Sequence, residues 1–223
     1  EGHQGVVGIN YLTKIDLPTL PSLFGAMLAG VDYVLMGAGI PRAIPGIIDQ
    51  LSKAQPVTQK LDIPDSTNNY TLVFDPQKYA PVITELHRPY FFPIVSSSTL
   101  AQALIKKATG RIDGFVVEHH CAGGHNAPPR GGIKIDHNGE PIYGSKDDID
   151  TEAFCRLGQP FWLAGSYASP EKLKDAIHQG AQGIQVGSAF AFCNESGILP
   201  HLKRDVIQKI VNGQSEVFTD QRA

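Results

Sequence analysis

Apolar residues in this chain come in short runs, most of them closed by Gly, Ser or Asn and followed by a stretch with helical spacing. Runs without polar alternation are the mark of strands buried on both faces of a parallel sheet. Residues 6–9, 33–36, 92–95, 115–117, 161–164 and 184–186 are the predicted strands. Between them, residues 20–29, 45–51, 100–108 and 170–179 are predicted helices, and Gly30, Gly110 and Gly180 stand where a helix end favours a left-handed residue. Thr99-Leu-Ala-Gln102 has capping-box spacing, and Ser169-Pro170 places a capping hydroxyl before a proline at the first helical position.

Strand-then-helix alternation predicts an α/β fold, and right-handed crossovers narrow it to an open doubly wound sheet or a (β/α)8 barrel. Six strands are read, where a barrel needs eight. Two longer gaps interrupt the rhythm. Residues 56–80 hold two alternating segments, 57–63 and 70–74, separated by Pro-Asp-Ser-Thr-Asn-Asn, which predicts an inserted hairpin. Residues 126–150 are polar and rich in turn formers, so they are expected to form a long loop, functional or disordered. No internal repeat and no low-complexity tract is present.

Composition adds bounds. With 42% hydrophobic and 18% charged residues, the 223-residue chain can bury a core, which excludes the disordered and fibrous classes. A net charge of −3 with no basic stripe argues against nucleic acid and anionic membrane, and favours a small-molecule partner. No apolar run approaches the roughly 18 residues of a membrane span. Cys121, Cys155 and Cys193 lack Cys-x-x-Cys spacing, which predicts reduced thiols and a cytoplasmic setting. The chain opens on Glu1-Gly-His-Gln without Met or a signal-peptide pattern and soon enters an apolar run, so a piece of a longer protein is expected.

In parallel α/β proteins, ligands bind at the carboxyl ends of the strands, so the residues that follow each run are the candidates. They are Asn10; Gly37-Ala-Gly39; Ser96-Ser-Ser98; Glu118-His-His-Cys-Ala-Gly-Gly-His125; Gly165-Ser166; and Gly187-Ser188. The last two are small, polar and in adjacent loops, and together they suit a phosphate held by backbone N–H groups and hydroxyls. Tight turns alone would explain either one. His125 is the sharpest single residue, because Gly123-Gly124 lets the backbone pass close to a ligand and imidazole exchanges protons near neutral pH. Its alternative is a surface histidine.

Three histidines and a cysteine within residues 119–125 invite a metal, yet zinc sites draw on separated ligand pairs and no second cluster follows, so no metal is expected. If the strand runs on, His119 and His120 point to opposite sides. Glu118 ends a buried strand and needs a partner, whether for catalysis or for structure. Cys155 and Cys193 read as buried small hydrophobes, and His3, His87, His178 and His201 as solvated side chains.

Val117-Glu-His-His-Cys-Ala-Gly-Gly-His125, then Trp162-Leu-Ala-Gly165 and Gly180-Ala-Gln-Gly-Ile-Gln-Val-Gly-Ser-Ala-Phe190, resemble the nitronate monooxygenase family, formerly the 2-nitropropane dioxygenases. Gly8-Ile-Asn10 and Met36-Gly-Ala-Gly-Ile-Pro41 are similar to earlier strand ends of that family, so the resemblance runs over nearly the whole chain. Related FMN-dependent enoyl-acyl-carrier-protein reductases share these elements. The resemblance implies a (β/α)8 barrel that binds FMN without covalent attachment. It makes His125 the histidine beside the flavin, acting as base for nitroalkanes or proton donor for enoyl substrates. It makes Gly165, Ser166, Gly187 and Ser188 the phosphate cradle, with Asn10 and Gly37 to Gly39 near the flavin ring and Glu118, Gly123 and Gly124 also toward the cofactor.

Three departures stand out. Gly165-Ser166 replaces a usual Gly-Gly pair, the segment after His125 is longer than usual, and the family's first strand, with its Ala-Pro-Met element, and second strand are not found. The resemblance therefore implies one barrel domain over residues 1–223, made of strands three to eight. The expected activity is oxidation of nitronates or nitroalkanes by oxygen. An enoyl reductase drawing electrons from NAD(P)H is the alternative, and a flavin-free phosphate-binding barrel, or a catalytically silent part of a larger protein, stays open as well.

Overall fold

The structure is a computed structural model that describes residues 4–61, 63 and 66–220. His3, Asp62, Pro64 and Asp65 fall outside the described residues. The chain divides into two compact units, Glu1–Val116 and Val117–Ala223.

The first unit runs β1 (Gly8–Leu12), α1 (Thr19–Leu28), β2 (Tyr33–Gly37), α2 (Ile44–Leu51), β3 (Val57–Leu61), β4 (Tyr70–Phe74), β5 (Tyr90–Val95) and α3 (Ser98–Lys107). β1, β2 and β5 lie in that order and pair in parallel, with Ile9 opposite Val34 and Val34 opposite Phe91. Their apolar runs meet the inner faces of α1 and α2 in a core where Leu23, Val34, Met36, Ile48, Leu51 and Phe91 are sealed from solvent. β3 and β4 pair antiparallel, Val57 opposite Phe74 and Leu61 opposite Tyr70, in the region where alternation predicts a hairpin. Phe74 sends the apolar side of this hairpin into the same core, its ring 5.5 Å from that of Phe24.

β6 (Phe115–Glu118) spans the boundary between the units. The second unit continues with α4 (Thr151–Arg156), β7 (Phe161–Ala164), α5 (Pro170–His178), β8 (Gly183–Gln185), α6 (Ser188–Ala191) and α7 (Pro200–Val211). β7 and β8 pair in parallel, with Leu163 opposite Ile184, and the His119 N–H just past β6 donates to the Ala164 carbonyl at 2.9 Å. α7 is tied down by Lys203, buried at 7% exposure, whose ammonium donates to the carbonyls of Cys193, Asn194 and Ser196 at 2.8–3.3 Å. No helix among the described residues is long and apolar enough to cross a membrane.

Several local expectations are corrected. β1 begins and ends later than its apolar run, because the ladder with β2 continues to Leu12 opposite Gly37. Asn10 is therefore an exposed mid-strand residue opposite Leu35, not a residue beyond a strand end. α3 starts at Ser98, and Ser97 caps it by accepting from the Leu100 N–H at 3.2 Å, so Thr99 lies inside the helix. Gly30 and Gly180 do take left-handed conformations, φ +73° and +90°. Gly110 does not; it is glycine because a Cβ there would run into the Gly46 N and Pro45 C backbone atoms at 2.5–2.6 Å. Cys155 is exposed rather than buried, its thiol 3.5 Å from the Gln179 carbonyl, while Cys193 is half-buried.

Candidate functional site

In the second unit, the loops leaving β6, β7 and β8 enclose a cavity of about 200 Å³. Glu118, Gly123, Gly165, Ser166, Gly187 and Ser188 all line it. The chain brings them together because each ends or follows β6, β7 or β8 on the carboxyl side. Cys121, from the candidate segment after β6, also lines the cavity, as do Tyr167 and Gln185, which the strand-end reading does not single out. Gln185 carried a legible signal: an amide in the middle of the apolar run 184–186.

Close backbone approach fixes the glycines. A Cβ on Gly165 would lie 3.1 Å from both the Cβ and the carbonyl oxygen of His119 and 3.2 Å from the Ala122 N, and the residue has φ +95°. One on Gly123 would meet the Ser188 hydroxyl at 3.2 Å. Ser166 also adopts a left-handed backbone, φ +57°, which strains a non-glycine residue by about 1–2 kcal/mol. Ser169 caps the next helix as expected, accepting from the Lys172 N–H at 3.2 Å.

No lysine or arginine lines the cavity among the described residues. Burial pushes the Glu118 carboxyl up to about 7, and raises the Tyr167 phenol, which the charges of Cys121 and Asp175 push the same way. The Gln185 Oε1 is buried without a hydrogen-bond partner. Such an orphan costs about 1–3 kcal/mol, a cost that an incoming donor would relieve.

The elevated Glu118 pKa makes a stability prediction. The folded value lies above the ordinary 4.5, so between these pH values the folded protein keeps a proton that the unfolded chain has released. Stability therefore falls as pH rises from about 4.5 to about 7 and stays low above it. Glu118→Gln should remove that loss, stabilising the protein by about 2 kcal/mol at pH 8, a figure reduced for the solvent that reaches the cavity, and by nearly nothing below pH 4.5. Urea unfolding of both proteins across pH checks it; parallel curves would refute it.

His125 and Gly124 do not line the cavity. Both are exposed in the bend after β6, where Gly124 has φ +86°. Asn10, Gly37 and Gly39 belong to the first unit. A Cβ on Gly37 would sit 3.1 Å from the Ile94 Cβ, and one on Gly39 would sit 2.8 Å from the Thr13 Cβ, so packing within that unit accounts for both glycines.

β6 stops at Glu118, so His119 and His120 do not alternate. Their rings lie together, centroids 4.0 Å apart, and His120 stacks on Tyr143 at 4.3 Å. Burial and the neighbouring His120 hold His119 below the usual imidazole pKa, an effect that Asp148 partly offsets. The segment 126–150 is tied by its own hydrogen bonds. Asp147, 8% exposed, accepts from the Arg130 and Gly144 N–H groups at 2.7 and 2.8 Å, which keep its carboxyl below the usual range. The Tyr143 hydroxyl donates to the Ala127 carbonyl at 3.1 Å.

Comparison with known proteins places this geometry. A sequence model described as nitronate monooxygenase matches residues 50–216. A probable nitronate monooxygenase of Bacillus subtilis (strain 168) is 33% identical over 115 residues, 52% of this chain and 31% of that protein. The structure of FabK from Thermotoga maritima superposes with a TM-score of 0.55 at 17% identity, over 92% of this chain and 49% of that one. Its M276A mutant gives 0.57 over 92% and 51%. At that identity the likeness shows the α/β fold alone, and the chain spans about half the length of these solved structures.

Proposed function

This chain belongs to the nitronate monooxygenase family, and from that premise we propose that it is part of an FMN-dependent oxidoreductase that oxidises nitronates or nitroalkanes with oxygen. The supporting observation is the glycine- and serine-lined cavity, with exposed backbone, hydroxyls and the orphaned Gln185 oxygen at its wall. These features fit one end of FMN. A space of about 200 Å³ is below the roughly 300–1,000 Å³ of whole-ligand pockets, and suits a phosphate with part of the attached chain.

In this reading Gly165, Ser166, Gly187 and Ser188 hold the phosphate through N–H groups and hydroxyls. Gln185 takes a donor from the polyol chain. Glu118, kept neutral by burial below about pH 7, adds no repulsion against the anion. When bound, FMN would supply the redox chemistry that couples substrate oxidation to oxygen. His125 takes the proton from the carbon that bears the nitro group. For Asn10, Gly37, Gly39 and Gly124 the flavin-facing role rests on the family resemblance alone. The same resemblance supports a single domain over residues 1–223 carrying barrel strands three to eight, with insertions at about 56–80 and 126–150.

The test is direct. The purified full-length protein should be yellow with a flavin spectrum, and an alkyl nitronate should bleach it without oxygen while NADH and NADPH do not. Bleaching by NAD(P)H alone would replace the proposal with the enoyl reductase type, and a colourless protein that takes up no FMN would leave only the flavin-free phosphate-binding barrel or the catalytically silent part.

A further inference from the structure

We propose that His119, His120 and Asp148 form a binding site for one divalent transition-metal ion of the zinc type. The three side chains each offer a ligand atom, and these atoms lie within 4.8 Å of one another. None of the three lines the cavity described above, so the site is a separate one.

The spacing that makes His119 and Asp148 an ion pair is also one that a shared ion can bridge. The His119 Nε2 stands 3.8 Å from the Asp148 Oδ1, beyond hydrogen-bond reach. Two ligands each about 2.0–2.2 Å from a tetrahedral ion are about 3.3 Å apart, so the 3.8 Å pair would close by about 0.5 Å and a pair at the 4.8 Å limit by about 1.5 Å, within the reach of side-chain rotation in the long loop.

Neighbouring groups orient the rings as metal-ligand histidines need. The His119 Nδ1 lies 3.0 Å from the Cys121 thiol, which leaves Nε2 for the ion. His120 is held flat against Tyr143, the two planes within 10°, and the Asn126 side-chain amide donates to its carbonyl at 2.8 Å. Asp148 directly follows Asp147, whose carboxylate grips the Arg130 and Gly144 amides, so the loop presents it from a fixed base. Two imidazoles and one carboxylate form a borderline donor set that suits zinc, nickel or copper(II) rather than calcium or magnesium. Water would take the fourth position. Sequence spacing argues against a metal because no second ligand cluster follows the histidines; the fold supplies the distant ligand as an aspartate from the long loop. The ion would pin segment 126–150 to the end of β6, beside the Gly165 wall of the cavity, which His119 abuts.

The experiment titrates zinc into chelator-stripped full-length protein against a chromophoric chelator, and repeats it for Asp148→Asn and His120→Ala. The expected result is one equivalent bound, at least about tenfold more weakly in each variant. Cobalt should give the intense visible bands of a four-coordinate site, lost in both variants. Asp148 is 68% exposed, so Asp148→Asn should fold normally and decide alone if His120→Ala does not. Hydrogen exchange across 126–150 should slow on adding zinc. No stoichiometric binding, or undiminished binding in Asp148→Asn, would overturn the proposal.

Discussion

Replacing His125 with Ala should leave the flavin bound and slow turnover of neutral nitroalkanes by about 10²–10⁴-fold, the usual contribution of a positioned proton-transfer group. Retention of flavin follows from geometry, because His125 does not line the cavity proposed for the phosphate end. Loss of turnover follows from chemistry. A nitroalkane must shed the proton on its nitro-bearing carbon before it can be oxidised, whereas a nitronate has already lost it. The same variant should therefore keep most of its rate with pre-formed nitronate. Steady-state kinetics on the two substrate forms make the comparison, and added imidazole should restore part of the missing nitroalkane rate. An equal loss on both forms would make His125 a structural residue, and no loss would remove it from the mechanism.

Arg88→Ala should cost the first unit about 3–5 kcal/mol, a large share of the 5–15 kcal/mol that usually holds a domain together. The Arg88 side chain is 14% exposed and binds Asp49 at 2.6 Å and Asp113 at 2.5 Å. It also donates to the carbonyls of Pro89 and Arg111 at 2.8 and 2.6 Å. Asp113, 7% exposed, accepts from the Phe91 N–H at 2.9 Å and pairs with Arg111 at 2.7 Å. Truncating Arg88 leaves that buried carboxylate without its main counter-charge and strands two carbonyls. Arg88→Lys should also be costly, since an ammonium cannot reach two carboxylates and two carbonyls in a planar fork. In a double-mutant cycle, Arg88→Ala with Asp113→Asn should cost clearly less than the two separate losses added together. Urea unfolding provides the readout; a loss below about 1 kcal/mol would mark the cluster as an exposed, screened one.

Much of the fold was legible because burial writes itself into the sequence. The 161–164 run is β7 to the residue, and the Ser169-Pro170 start of α5 holds in its hydrogen bond. Short apolar runs give position but not register. Nothing in residues 6–12 shows that the ladder with β2 continues to Leu12, and that shift moves Asn10 from a strand end into the strand. α3 could be capped by any of three serines or a threonine; backbone direction, not residue type, selects Ser97. Gly110 was read through its own backbone, while its reason lies 64 residues earlier at Gly46 and Pro45. α4, α6 and α7 lack a legible mark, α4 and α6 because they are short, α7 because no strand follows it among the described residues.

At the candidate site, the sequence showed which residues leave the strands but not which of them share a cavity. The path of the loop decides that: Gly123 passes close to Ser188 and lines the cavity, while His125, two residues on, does not line it. Asp148 was invisible for a different reason. An aspartate in a polar loop carries no local mark, and only tertiary structure sets it beside the histidines.

Ser166, with its φ of +57°, has a consequence for how this gene can drift. Glycine, asparagine and aspartate tolerate that region of backbone space, and serine does so at a cost, but valine, isoleucine and threonine do not. In a saturation library selected for folded protein, position 166 should accept this short set of small residues and reject every β-branched one, even though its hydroxyl is polar and its surroundings are open enough for a larger side chain to look harmless. The filter acts through the main chain, so a substitution table built on polarity and size would misjudge it.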